Sequence, residues 1–370
     1  MEILSVFNAK GGVGKTTTAV NLAACFAVLG LRVVVFDLDA QGNATASLGV
    51  RKTPETGTYD VITGSTAIAD ALVPSFMENL SLVGATKILA TIDVDLALGS
   101  GKTNTVRQAA EAIKDDIDIL ILDCAPTFGS MTINALVSAD MVIIPSQPHP
   151  FAHDGLIRTW SILGRIKTEM HPTLKVLGIL PTFCDTNVGS DEKREDSTQI
   201  LAAMHAEFGN AVVEPGIPND PELFISASGT GLPACVYAPH SPASTAYITM
   251  ALRLLGMSED QNSVPAKSAD SLLNLLDQAP FPSPSLIEMV SDKLEFWQQQ
   301  AKEDGWIDDR INLPEVDSNA VNVAKQADEH EPTFDFDGSS ISRTLIFVSC
   351  SLALAILTFI IGWAVGMGHI

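Results

Sequence analysis

Residues 10–17 read Lys10-Gly11-Gly12-Val13-Gly14-Lys15-Thr16-Thr17. An apolar β-branched run, Ile3–Phe7, precedes them, and a helical pattern from about Thr16 to Leu29 follows. A glycine loop at a strand–helix junction can close its backbone N–H groups around phosphate oxygens, and the helix N-terminus adds partial positive charge. Lys15 is then placed to bridge β- and γ-phosphates, and the Thr16 hydroxyl to ligate Mg²⁺. Such a loop needs a strand behind it and a helix in front, which commits the first part of the chain to an α/β fold.

The following segments keep to that plan. Arg32–Phe36, Leu80–Val83, Ile117–Leu122, Met141–Ile144 and Lys175–Leu180 are short apolar runs, with helical stretches between most of them. Near-continuous apolar strands alternating with helices predict a mostly parallel β-sheet flanked by helices, the P-loop NTPase architecture. This texture holds over residues 1–256, the expected ATPase domain.

Beyond residue 256 the composition changes. The chain of 370 residues carries 44 acidic and 22 basic residues. Residues 1–256 contribute 26 acidic and 16 basic, whereas residues 257–343 contribute 18 and 6. Residues 257–303 read as a short helical extension, with amphipathic patterns at Ser271–Leu276 and Leu286–Gln300 around a proline-rich break. Residues 304–343 read as an acidic flexible linker. Thr344 to Gly368 holds no charged residue, and about 20 apolar residues suffice to span a bilayer. The expectation is a C-terminal transmembrane tail anchor at 344–368. With Arg343 on its N-terminal side, it would put the ATPase domain in the cytoplasm at a bacterial inner membrane.

Five cysteines are scattered without a C-x-x-C pair, which predicts reduced buried thiols rather than a disulfide framework or zinc site. The acidic balance argues against a protein that coats nucleic acid through a broad basic face.

Lys10 at the head of the glycine loop gives the deviant Walker A form. On that residue the chain resembles the ParA/MinD superfamily, most closely the ParA (Soj-type) partition ATPases. Further matches are Asp37-Leu38-Asp39-Ala40-Gln41-Gly42-Asn43 after the second strand, Ile119–Asp123 with Pro126 as the Walker B strand, and Ile217-Pro218-Asn219-Asp220 near the domain end. The resemblance implies ATP and Mg²⁺ bound along Lys10, Gly11, Gly12, Val13, Gly14, Lys15, Thr16 and Thr17. It implies Lys10, Lys15 and Asp39 as catalytic residues, Lys10 reaching the partner's nucleotide in an ATP-dependent homodimer. Thr16, Asp37 and Asp123 would serve the metal, and Pro218 and Asp220 would border adenine.

The sequence also departs from that family. Asn219 and Glu222 stand where arginine is common, Asp220 where asparagine is usual, and Thr186-Asn187 follow Asp185 where a basic residue is expected. Each lost cation removes a phosphate contact and its counterion release, so direct DNA binding is expected to be weak or absent. The resulting expectation is a membrane-anchored ParA-like ATPase with slow, partner-stimulated hydrolysis that positions a cargo, either a plasmid or chromosome complex or a protein assembly. A non-cycling ATP-locked scaffold that recruits partners is the alternative.

Overall fold

The computed structural model describes residues 1–98, 103–184, 191–258, 281–307, 311 and 313–314. Seven strands form one sheet: β1 (Glu2–Val6), β2 (Val33–Asp37), β3 (Leu72–Pro74), β4 (Leu80–Val83), β5 (Ile119–Asp123), β6 (Met141–Ser146) and β7 (Lys175–Pro181), in the order β3-β4-β2-β5-β1-β6-β7. Every pairing is parallel except β3 with β4.

Every residue of β2 and β5 is buried, as expected where helices cover both faces of a sheet. The faces separate by the period of two along each strand. Val33, Val35, Ile119 and Ile121 join the core around helix α1 (Lys15–Val28), whereas Val34, Phe36, Leu120 and Leu122 join the core on the opposite face. β3 is the element that hydrophobic patterning does not announce. It is three residues long and contains Pro74, and an edge strand tolerates the missing N–H.

The helix expected at Leu286–Gln300 extends over Pro284–Glu303. Pro284 occupies its first turn, where no N–H donor is needed, and the Ser283 hydroxyl accepts from the Leu286 N–H at 3.3 Å. Leu286, Val290 and Leu294 recur every fourth residue and are buried in the same core as Tyr247 and Ile248. This helix is thus packed into the compact unit Met1–Val316. The pattern at Ser271–Leu276 and most of the acidic linker lie outside the described residues.

The expected inner-membrane, tail-anchored localisation is corrected. Among the described residues, no helix is long and apolar enough to cross a membrane, and Thr344–Gly368 lies outside them. A long uncharged run meets the length requirement for a span, but that requirement alone does not make the run a membrane helix. The described cysteines, Cys25, Cys124, Cys184 and Cys235, are all buried and outside any disulfide.

Candidate nucleotide-binding site

The glycine loop leaves the C-terminal edge of β1 and enters α1 at Lys15. Gly14 sits at the helix N-cap with φ 82°, a left-handed backbone that side chains with a Cβ disfavour. The Phe183 ring lies 3.5 Å from where a Cβ at Gly14 would stand, an ordinary contact distance, so the backbone angle is what favours glycine here.

Three buried groups fix the loop from outside. The Asn8 amide donates to the Pro145 carbonyl at 2.8 Å, and its oxygen accepts from the Lys10 N–H at 3.0 Å. The Thr159 hydroxyl accepts from the Ala9 N–H at 3.0 Å and lies 2.9 Å from the Asn8 side-chain oxygen. The Thr182 hydroxyl donates to the Val13 carbonyl at 2.9 Å. Asn8, Thr159 and Thr182 were not singled out from the sequence. The partners lie as many as 169 positions apart, and only the sheet order brings them together.

Lys15 is buried, and its amine donates to the Lys10 carbonyl at 2.8 Å. Burial pulls its pKa down, against the attraction of Asp123. The Lys10 alkyl chain lies over Gly155, close enough that a Cβ there would stand 3.2 Å from the Lys10 Cβ. The two loop lysines therefore differ in setting: one is folded into the loop, and the other lies along a neighbouring helix, Pro150–Glu169.

Asp37 and Asp123 end β2 and β5 and are register partners. Both are inaccessible to solvent. The Asp37 Oδ2 accepts from the Thr45 N–H at 2.9 Å and the Thr45 hydroxyl at 2.6 Å, and its Oδ1 accepts from the Asp39 N–H at 3.2 Å. Burial nonetheless raises its pKa to about 6. The Asp123 Oδ2 accepts from the Thr16 hydroxyl at 2.8 Å. Its Oδ1 is buried without a hydrogen-bond partner among the described residues. Burial, followed by repulsion from Asp37, pushes the Asp123 carboxyl well above the usual carboxylate range.

A buried carboxylate oxygen without a donor, next to a threonine hydroxyl and a second carboxylate, fits a hard divalent cation such as Mg²⁺. Thr16 and Asp123 are the groups that would hold it. Both oxygens of Asp37 accept hydrogen bonds, and its carboxylate adds negative charge beside that position. Asp39 lies in the loop after β2, half-buried, with its Oδ1 accepting from the Gln41 N–H at 2.9 Å.

The 217–220 segment reaches the loop by a relay. The Cys184 N–H donates to the Ile217 carbonyl at 2.9 Å, and Cys184 bridges to Pro218. Thr182, two residues earlier, holds Val13. Asp220 caps the helix Pro221–Thr230, its Oδ1 accepting from the Leu223 N–H at 3.0 Å. One of its oxygens thus has a structural task that the sequence reading did not assign.

The chain is similar in sequence and fold to known proteins. A family model described as "AAA domain" matches residues 1–176. The sporulation initiation inhibitor protein Soj of Bacillus subtilis is 34% identical over 253 residues, which is 68% of this chain and 96% of that protein. The chromosome partitioning protein ParA of Caulobacter vibrioides is 30% identical over 266 residues, 71% of this chain and 97% of that protein. A solved structure of cobyrinic acid a,c-diamide synthase from Mycobacterium smegmatis, with bound ATP analogue and magnesium, is 29% identical with a TM-score of 0.59. The match covers 69% of this chain and 94% of that one.

Proposed function

The chain belongs to the ParA/Soj family of P-loop ATPases, and on that premise we propose that it is an ATP-dependent dimerisation switch that positions or partitions a cargo. The observation that carries this reading is the pair of lysines on one loop. The Lys15 amine is held on the Lys10 carbonyl, while the Lys10 alkyl chain lies along Gly155.

Lys15 can exchange that carbonyl for β- and γ-phosphate oxygens without leaving the loop. Lys10 is then the residue that reaches the nucleotide of a second copy, so ATP binding and dimerisation become one event. Mg²⁺ at Thr16 and Asp123 would offset the phosphate charge and the two buried carboxylates. Asp39 orients the water that attacks the γ-phosphorus while the bond to the ADP oxygen breaks. Positioning is enough for this step, because phosphoryl transfer depends chiefly on alignment and charge neutralisation. Pro218 supplies an apolar edge for the base.

Direct DNA binding is weak in this reading. Glu222 lies in the first turn of the helix Pro221–Thr230, where an anion favours the helix and repels phosphate. The cargo is a plasmid or chromosome complex or a protein assembly, engaged through a partner protein that stimulates hydrolysis.

Light scattering of the full chain with ATP and Mg²⁺ tests the switch. The expected result is a dimer for the wild type and a monomer for Lys10→Ala, both unchanged by added duplex DNA. A wild-type chain that stays monomeric, or a Lys10→Ala variant that dimerises equally, overturns the switch. Large particles that form only with DNA overturn the weak-binding reading alone.

A further inference from the structure

His240 meets the helix Pro284–Glu303. Its Nε2 lies 3.4 Å from the Glu295 Oε2 and 3.9 Å from the Asp292 Oδ1. One ligand atom from each of the three residues falls within 4.8 Å of the others. We propose that His240, Asp292 and Glu295 form a site for a borderline divalent transition cation of the zinc class, tying this helix to the turn before the helix Pro242–Leu254.

The chemistry of the donors favours that ion. Two ligands about 2.1 Å from a tetrahedral zinc stand ~3.4 Å apart, close to the His240–Glu295 separation. A neutral imidazole with two carboxylates carries two negative charges, which a divalent ion cancels. One nitrogen and two carboxylate oxygens suit zinc better than the hard all-oxygen cations. The fourth coordination position is left for water.

The supporting elements are fixed before any ion arrives. Asp292 and Glu295 are three residues apart and share a helix face with Gln298. The buried Gln298 amide donates to the Tyr237 carbonyl, which holds this stripe against the turn. The Ser241 N–H donates to the Ala238 carbonyl at 3.1 Å and closes the turn that presents His240. His240 is mostly buried, with 17% of its side chain exposed, whereas Asp292 is 68% exposed and leaves an open path for the ion.

The test is calorimetric titration of zinc chloride into the full chain loaded with ATP and Mg²⁺, comparing wild type, His240→Ala and Glu295→Gln. The expected result is one zinc equivalent that both substitutions weaken at least tenfold, with a zinc-dependent rise in melting temperature that both abolish. Glu295→Gln keeps the result readable if His240→Ala fails to fold. Isotherms equal to the wild type in Glu295→Gln overturn the site. Equal binding of calcium chloride overturns the assignment to the zinc class.

Discussion

Asp37 and Asp123 face each other in register at the ends of two neighbouring parallel strands, both shut off from solvent. Two buried carboxylates side by side are costly unless something cationic joins them. The Thr16 hydroxyl and the buried Lys15 amine supply part of that compensation. The remainder is the reason this edge of the sheet suits a metal cation.

This cost sets a pH dependence for the ligand-free chain. Burial raises Asp37 from 3.8 to about 6, so the folded state binds this proton more tightly than the unfolded state does. Its contribution to stability is then fully present below pH 4 and is lost as pH rises to about 6. In urea unfolding with a chelator present, wild type minus Asp37→Asn should fall by ~3 kcal/mol across that window, at 1.36 kcal/mol per pKa unit. A difference that stays flat with pH would mean Asp37 is ionised throughout.

Thr159 tests how the loop is held. Thr159→Val keeps the volume but strips the acceptor from the Ala9 N–H and the hydrogen-bonding partner from the Asn8 oxygen. The Asn8 oxygen keeps the Lys10 N–H, but leaving the Ala9 N–H unpaired costs about 1–3 kcal/mol. The variant should unfold at lower urea and show a raised KM for ATP, because a loosened loop binds phosphate less well. Thr159→Ser should restore both values.

Gly129 is held to glycine by a neighbour rather than by its own backbone angle. A Cβ there would stand 2.2 Å from the Asp93 Oδ2, while the Asp93 Oδ1 accepts from the Met131 N–H at 2.8 Å. Gly129→Ala should push that carboxylate off the start of the helix Ser130–Ser138 and destabilise the chain by about 1–2 kcal/mol. In the Asp93→Ala background the same substitution should cost little, a non-additivity that a double-mutant cycle in urea measures.

The strands could be read from the sequence because their runs are nearly all apolar and β-branched, with ends within two residues of those observed. The glycine loop was legible because its spacing is local. Thr45 and Thr159 could not be found in that way. Each serves a group elsewhere through one hydroxyl, and neither a period of two nor one of 3.6 marks it. β3 was hidden by Pro74, which reads as a breaker until the edge of the sheet is known. The Asp220 cap was obscured by the resemblance itself, which directed attention to the base and away from the following Pro221, a sequence sign of a helix start.

Trp306 links the end of the extension to the segment that follows the Asp39 loop. Gly49 has φ 83°, and a Cβ there would lie 3.1 Å from the Trp306 ring and 3.6 Å from the Gly231 carbonyl. The Arg51 guanidinium donates to the Thr230 carbonyl at 3.4 Å in the same corner. Trp306 is half-buried, so Trp306→Ala should destabilise the chain by about 1–2 kcal/mol, less than truncation of a fully buried aromatic, and loosen residues 43–51. Hydrogen exchange should show faster amide exchange at Ala46–Val50, with β1 and β5 unchanged. Because Asp39 lies in the preceding turn, ATP turnover should shift with it. Unchanged exchange at Ala46–Val50 would show that the extension packs on this corner without restraining it.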